Sequence, residues 1–550
     1  MLPGLLRYCL LILLPVWLLG CSGGGAGNND TNDDNEAMPP PTEDRVAAAR
    51  LLNQATFGAT LDDIDDVARR GIEAWLDEQF AAEPTWHLPI VEEQFEKYED
   101  ENVDEFTFRR HAWWHNALTA EDQLRQRVAL ALSEIFVVSD RSDALEDPSS
   151  TAGYFDMLLE HAFADFNDLL LAVTLHPAMG VYLSHANNRK AIPEQGVFPD
   201  ENYAREVMQL FSIGLYELNP DGSRKLDDEG KPIPTYSNKE ITEMAKVFTG
   251  LSFATEEPFF GNPEPEFWEP MIMFEAYHET GEKHLLNGFV IPAGQAGMQD
   301  IRDAISHLAN HPNTGPFIAR RLIQRLVVSN PSPSYIGRVA AVFNNNGRGE
   351  RGDMEAVVRA ILLDDEARDP ARLTDGGRLQ EPMLRYLQGL RAVGLYSDSG
   401  RFYGEGFYVQ DETKQHPLSA PSVFNFYLPD YQPSGELADA GLVAPEFQIS
   451  TDTTVIGMVN LMAQLAFDED PIDAFDGDSE IELALDDEIE LAESPEEMVA
   501  HCNLIFAYNS FSREYQEIML AAIQATEDPE DRARIAIFLS LISPEQAVAN

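Results

Sequence analysis

Cysteine is almost missing from this chain, with three residues in 550: Cys9, Cys21 and Cys502. The first two fall in an N-terminal leader, so the body carries one thiol and no internal disulfide. It must hold together by core burial, which about 500 residues can supply. Basic residues are scarce as well, 38 against 94 acidic, for a net charge of −56. Such a surface repels nucleic acid and anionic headgroups, and no nucleic-acid partner is expected. The surplus suits solubility in a saline or divalent-rich setting. Nothing long alternates at period two, which argues against an extensive sheet. There is no G-x-S-x-G elbow, P-loop, G-x-G-x-x-G after a strand pattern, C-x-x-C-H or H-E-x-x-H. The chemistries those motifs signal drop out with them.

What is present begins with a leader. Arg7 gives residues 1–21 a modest positive start, residues 10–19 an apolar centre, and Leu18-Leu19-Gly20-Cys21 a close. The apolar run is too short to span a membrane and reads as a secretory signal. Its ending resembles a bacterial lipobox, which implies lipidation at Cys21, export to the cell envelope and attachment to a membrane through the lipid. Ser22, where an Asp would retain the protein, points by the same resemblance to the outer membrane. Residues 22–44 hold Gly, Asn, Asp and Pro and almost nothing apolar. They read as a disordered tether reaching roughly 25 Å.

From residue 45 the pattern is helical. Apolar periodicity marks helices over 61–70, 106–118, 120–138, 153–173, 301–326, 334–343, 354–363 and 382–393, with further ones at 495–506, 513–525 and 531–541. Residues 217–300 are crowded with Pro, Gly and aromatics, interrupted by one helix over 239–250 after Ser237; residues 400–441 are irregular too. A mainly α fold is expected, a large multi-helix body with long irregular loops and a few short strands. Residues 45–460 read as that body and 461–550 as a C-terminal helical extension. Between Asp468 and Glu497 lie fifteen acids and no base, which predicts a solvated insertion dispensable for folding.

The densest conjunction of helix signal and polar groups is 200–215. Tyr203, Val207, Leu210 and Phe211 form one apolar stripe, Asp200 suits the cap and Gly214 the exit. Asn202, Arg205 and Glu206 sit near the stripe's edge. Adjacent on a helix, Arg205 and Glu206 diverge by about 100° and need separate partners. A second polar cluster, 277–284, offers His278, Glu279, Lys283 and His284 around Gly281. We expect the two to touch, Glu206 meeting His278 or Lys283 and Arg205 meeting Glu279 or another acid. In a shared site Glu206 and His278 would act as acid and base, with Asn202, Arg205, Glu279 and Lys283 binding. The alternative is an ion-pair cluster satisfying buried groups. His111 and His115 share a helix face at zinc-like spacing, but no third ligand can be named, and no metal site is assigned.

Arg50-Leu51-Leu52 with Ala55-Thr56-Phe57-Gly58, Leu124-Arg125-Gln126-Arg127, the 201–206 block E-N-Y-A-R-E with Leu210-Phe211-Ser212-Ile213-Gly214, and His278 with Gly281 and Lys283 follow in order. Together they resemble the bacterial domain-of-unknown-function family 1800, over most of residues 45–460. The resemblance implies an exported protein with no established activity, encoded beside a second exported, sulfatase- or phosphatase-like family that suggests a working partner. Many members carry a Trp-His-Asn-His stretch after the Leu-Arg-x-Arg block. Here those positions read Leu132-Ser133-Glu134-Ile135, so no metal role of those histidines carries over. Two functions remain: an envelope-anchored lipoprotein that binds a polymer or partner protein and assists an exported neighbour, or a hydrolase using Glu206, His278 and their neighbours. No cofactor can be named.

Overall fold

The computed structural model describes residues 42–98, 103–142, 145, 147–255, 259–260, 267–372, 376–404, 406–467 and 481–549. The leader, Cys21 and nearly all of the tether lie outside the described residues. Within them the fold is mainly α, with 25 α-helices and strands of two or three residues paired in two-stranded sheets. None of these helices is long and apolar enough to cross a membrane.

Local signals set most helix starts. The first helix, Glu43–Ala55, begins earlier than its apolar pattern, because Thr42 accepts from the Arg45 amide and caps it. Asn238–Val247 opens on a capping box between Ser237 and Glu240. Two long periodic runs divide. The 153–173 run becomes Pro148–Glu160 and Phe166–Leu175, because Asp165 accepts from the Asn167 amide and starts a new helix. The 301–326 run becomes Gly297–Ala309 and Thr314–Leu326, broken at Asn310 to Asn313.

The C-terminal ninety residues are no separate body. The helix Asp452–Phe467 runs across the expected boundary at 460, and Arg378–Leu379 pairs with Val548–Ala549. A single apolar cluster extends from Ala48 to Leu541. Residues 468–480 of the acidic segment lie outside the described residues; from 481 onward the segment forms regular structure. Ile481–Leu483 pairs with Leu395–Ser397, and Asp486–Leu491 is a helix. Ile481 and Leu485 are buried, and Glu488 faces His501 inside. Apolar side chains every few positions win over the surrounding charge. Replacing 481–497 by a linker would forfeit the burial of Ile481 and Leu485, at about 1.5–3 kcal/mol each. Cys502 is a free buried thiol, pushed up to about 12 by burial.

Candidate functional site

The 200–215 stretch folds as expected. Asp200 accepts from the Asn202 amide at 2.8 Å, the helix runs Asn202–Gln209 with Leu210 at its C-cap, and Gly214, at φ +71°, ends the turns that follow. Its inner face is structural. Tyr203 stacks on His185 at 3.9 Å, meets Phe248 edge-on at 4.9 Å and bonds Thr174 through its hydroxyl at 2.7 Å. Asn202 is exposed, and of the partners expected for Arg205 the structure gives another acid, Glu201, at 3.7 Å on the surface, rather than Glu279. Glu206 is buried beside Tyr236, and each keeps an oxygen without a hydrogen-bond partner. Burial pushes its carboxyl up to about 7, with Arg205 opposing.

His278 and Lys283 are committed elsewhere. His278 donates from Nδ1 to the Thr249 carbonyl at 2.7 Å and meets Asp300 through Nε2 at 3.0 Å. Lys283 spends its three donors on Asp300 and the Glu279 carbonyl, each at 2.5 Å, and the Gly281 carbonyl at 3.2 Å. All three side chains are buried. Burial pushes Asp300 up, but the hydrogen bonds from His278 and Lys283 outweigh it and hold the carboxyl below its ordinary range. Gly297 lets the Asp300 helix approach: a Cβ there would lie 2.9 Å from His278 Cγ. Glu279 turns inward on its own loop, accepting from Gly281 N at 3.0 Å. The structure thus brings His278 and Lys283 together on Asp300 and joins neither to Glu206. His111 and His115 both pack on the Tyr403 ring.

The open site lies at a cleft of about 390 Å³, within the roughly 300–1,000 Å³ of small-ligand pockets. Its floor is the helix Thr314–Leu326, which contributes Phe317, Arg320, Arg321 and Arg325. Asn313 fixes one wall, donating to the Ile213 and Tyr216 carbonyls at 2.9 and 2.8 Å and accepting from Leu218 N at 2.9 Å. Gln324 fixes the other through the Pro429 carbonyl at 3.0 Å. Arg224 reaches in over Tyr216, and the exposed rings and chains of Leu215, Phe424 and Leu428 form an apolar rim.

Charge in the cleft is unbalanced. Arg321, pushed down to about 9 by burial and by Arg320 and Arg325, has only Asp430 in opposition. Burial lowers Arg320 too, where Asp430 opposes and Arg224 adds to the fall. Among the described residues Arg325 alone of the four cleft arginines pairs with a carboxyl group, Glu134 at 3.2 Å. Glu134 is buried and lines the cleft, and neither of its oxygens has an aligned hydrogen bond within the protein. Burial pushes it up to about 8, with Arg325 opposing and the neighbouring Glu381 carboxyl adding to the rise. Beneath lie Arg127, Arg378 and Glu446, all buried; Arg378 stands 3.4 Å from Glu381 and 3.9 Å from Glu446.

The model of the family described as "Protein of unknown function (DUF1800)" matches residues 50–548. The chain belongs to this family. The DUF1800 match runs past residue 460 and takes in the C-terminal helices, as the shared core does. No curated protein and no solved structure matches the chain.

Proposed function

We propose that this DUF1800 protein is an envelope-anchored binding protein whose arginine cleft captures the anionic group of an amphiphilic ligand, a phosphate, sulfate or carboxylate carried on an apolar body. The observation that carries this reading is the crowding of Arg320, Arg321 and Arg325, which depresses Arg321 while only Asp430 offsets it. An anion there relieves like-charge repulsion and pairs with fork-shaped donors. The apolar rim of Leu215, Phe424 and Leu428 suits the rest of the ligand. A phosphate or sulfate ester is also the chemistry a phosphatase- or sulfatase-like exported partner would share. Anchoring rests on the Leu18-Leu19-Gly20-Cys21 leader; Cys21→Ala releases the protein from the membrane fraction if that reading holds.

Calorimetric titration with phenyl phosphate and phenyl sulfate tests the cleft. Saturable binding that weakens ten-fold or more in Arg321→Ala is expected. Absence of binding, or equal binding by the variant, overturns the reading.

A hydrolytic reading is favoured by the place of Glu134 among the residues lining the cleft, where burial raises its carboxyl toward the protonated form while Arg325 opposes. A protonated carboxyl beside a bound ester is placed to act as a general acid. Turnover of the phenyl esters that Glu134→Gln abolishes, with binding retained, would establish it.

A further inference from the structure

We infer that the arginine cleft takes its ligand, a phosphate-bearing lipid headgroup, from a bilayer on which an apolar strip beside the cleft rests; this presupposes the cleft reading above. The strip begins at the cleft rim, where Phe424 and Leu428 line the opening and are exposed. Leu428 N donates to Gln448 Oε1 at 2.8 Å, which seats the short turn Pro445–Gln448 beside the rim. Phe447 in that turn is exposed. One residue past the turn, the Ile449 carbonyl accepts from the Thr454 hydroxyl at 2.6 Å, and this brings in the start of the helix Asp452–Phe467.

That helix is apolar on both sides. Met458, Leu461, Met462 and Leu465 are buried, while Val455 and Ile456 stand 54 % and 64 % exposed, with Val459 exposed as well. Val455 and Val459 are one turn apart with Ile456 beside them, a single outward stripe about 100° wide. A helix apolar all round is ordinarily covered on both sides, and an apolar patch left open on a folded body marks an interaction surface.

Charge says what covers it. The chain has 94 acids in 550 residues, yet between 440 and 467 there are only Glu446 and Asp452, and no lysine or arginine. Glu446 is buried, so Asp452, at the helix start, is the one exposed charge of that stretch. An acidic body is repelled by phosphate headgroups and can approach a bilayer only where the repulsion lapses. The strip is such a place. The cleft adjoining it adds Arg320 and Arg321, which only Asp430 opposes. A protein partner steered by the charge of this chain would carry cations and seek its acids, which this face lacks. Apolar side chains at the acyl boundary with arginines on the headgroups are the arrangement of a protein lying on a membrane. The anchor proposed at Cys21 would hold the body within reach of that surface.

Vesicle flotation tests this with the chain from Ser22 onward, which carries no lipid and keeps every residue of the described fold. The vesicles are phosphatidylcholine, alone or with a minor fraction of phosphatidic acid. Repulsion by the acidic body predicts weaker association with the anionic vesicles. Here association should instead be at least three-fold tighter with them, and Arg321→Ala should reverse that preference. Val455→Ser combined with Ile456→Ser, both exposed positions, should weaken association with either vesicle ten-fold or more. The far-ultraviolet dichroism spectrum and phenyl phosphate binding of that double variant should be unchanged. No association, weaker association when phosphatidic acid is present, or full association in the double variant overturns the proposal. Self-association that the double variant abolishes, without vesicle binding, overturns it too, in favour of a second copy of the chain on this face. Phenyl phosphate binding without vesicle association overturns this proposal alone, whereas loss of both removes the cleft reading with it.

Discussion

Asp300 and Glu134 are both buried carboxyls facing buried cations, yet Asp300 is held below its ordinary range and Glu134 rises to about 8. The difference lies in how completely each cluster is matched. Around Asp300, two donors converge on one oxygen and every Lys283 proton finds an acceptor. Around Glu134, Arg325 at 3.2 Å and the more distant Arg127 oppose burial of a carboxyl whose oxygens lack aligned donors among the described residues and which presses against Glu381. The Asp300 cluster is closed to solvent, with its donors gathered on Oδ2 and Oδ1 left without a hydrogen bond among the described residues. The mismatched one borders a cleft. Buried polar groups left short inside a fold are costly, so a mismatch beside open space points to a ligand that completes it.

The largest effect separating the two should come from Asp300→Asn. It strands Lys283, 1 % exposed, without a counter-charge, which costs about 3–5 kcal/mol in chemical denaturation. At a permissive temperature the folded variant should bind phenyl phosphate as wild type does. A loss under 1 kcal/mol would remove the distinction, since the turn would then be no better matched than the cleft.

The helices were largely legible because a 3.6-residue apolar period survives in them, and the start signal at Ser237 was read correctly, whereas the 200–215 helix stops at Gln209, five residues short of Gly214. Asp165 carried a start signal as well, but the apolar period passes through it and masked the break. The acidic segment misled because charge dominates its composition, while Ile481 and Leu485, the residues that dock it, are few. The candidate site was hardest. Glu206, His278 and Lys283 are the right residue types in conspicuous local motifs, and the fold spends them on separate neighbours. Glu134 and Arg325 meet only through packing of helices distant in sequence, which local spacing cannot show. One signal was available: Arg320, Arg321 and Arg325 occupy a mostly apolar helix in a chain with only 38 basic residues.

An intermediate effect is expected from pH. Glu134 has a folded value near 8, above the roughly 4.3 of an unfolded glutamate, so the folded state holds an extra proton between the two. Its contribution is fully present below about pH 4 and is lost as pH rises toward 8. Glu446, pushed up to about 7 chiefly by burial, acts in the same direction. Unfolding free energy should fall between pH 5 and 8 by up to about 1.4 kcal/mol per unit for each proton, and Glu134→Gln should flatten that slope. Phenyl phosphate affinity should decline above pH 8 as Glu134 gains charge, and the Gln variant should lose that decline. A stability curve equally steep in both proteins would contradict the assignment.

The smallest effect is expected at Glu206→Gln. With its value near 7, Glu206 is mostly neutral at pH 6, and an amide of the same shape should change stability by less than about 1 kcal/mol. Phenyl phosphate affinity should stay within two-fold. A ten-fold loss of affinity would return Glu206 to the site.

The central claim, that the arginine cleft carries charge the fold does not itself satisfy, is tested most directly by urea unfolding of Arg321→Met against wild type, with and without phenyl phosphate. Without ligand the variant should be at least as stable as wild type, since a crowded, half-buried cation has been replaced by an apolar chain of similar reach. At a hundred-fold excess over Kd the ligand should stabilise wild type by about 2.7 kcal/mol and the variant by far less. A variant that is less stable by 2 kcal/mol or more without ligand, or one that gains as much from the ligand as wild type does, would contradict the account.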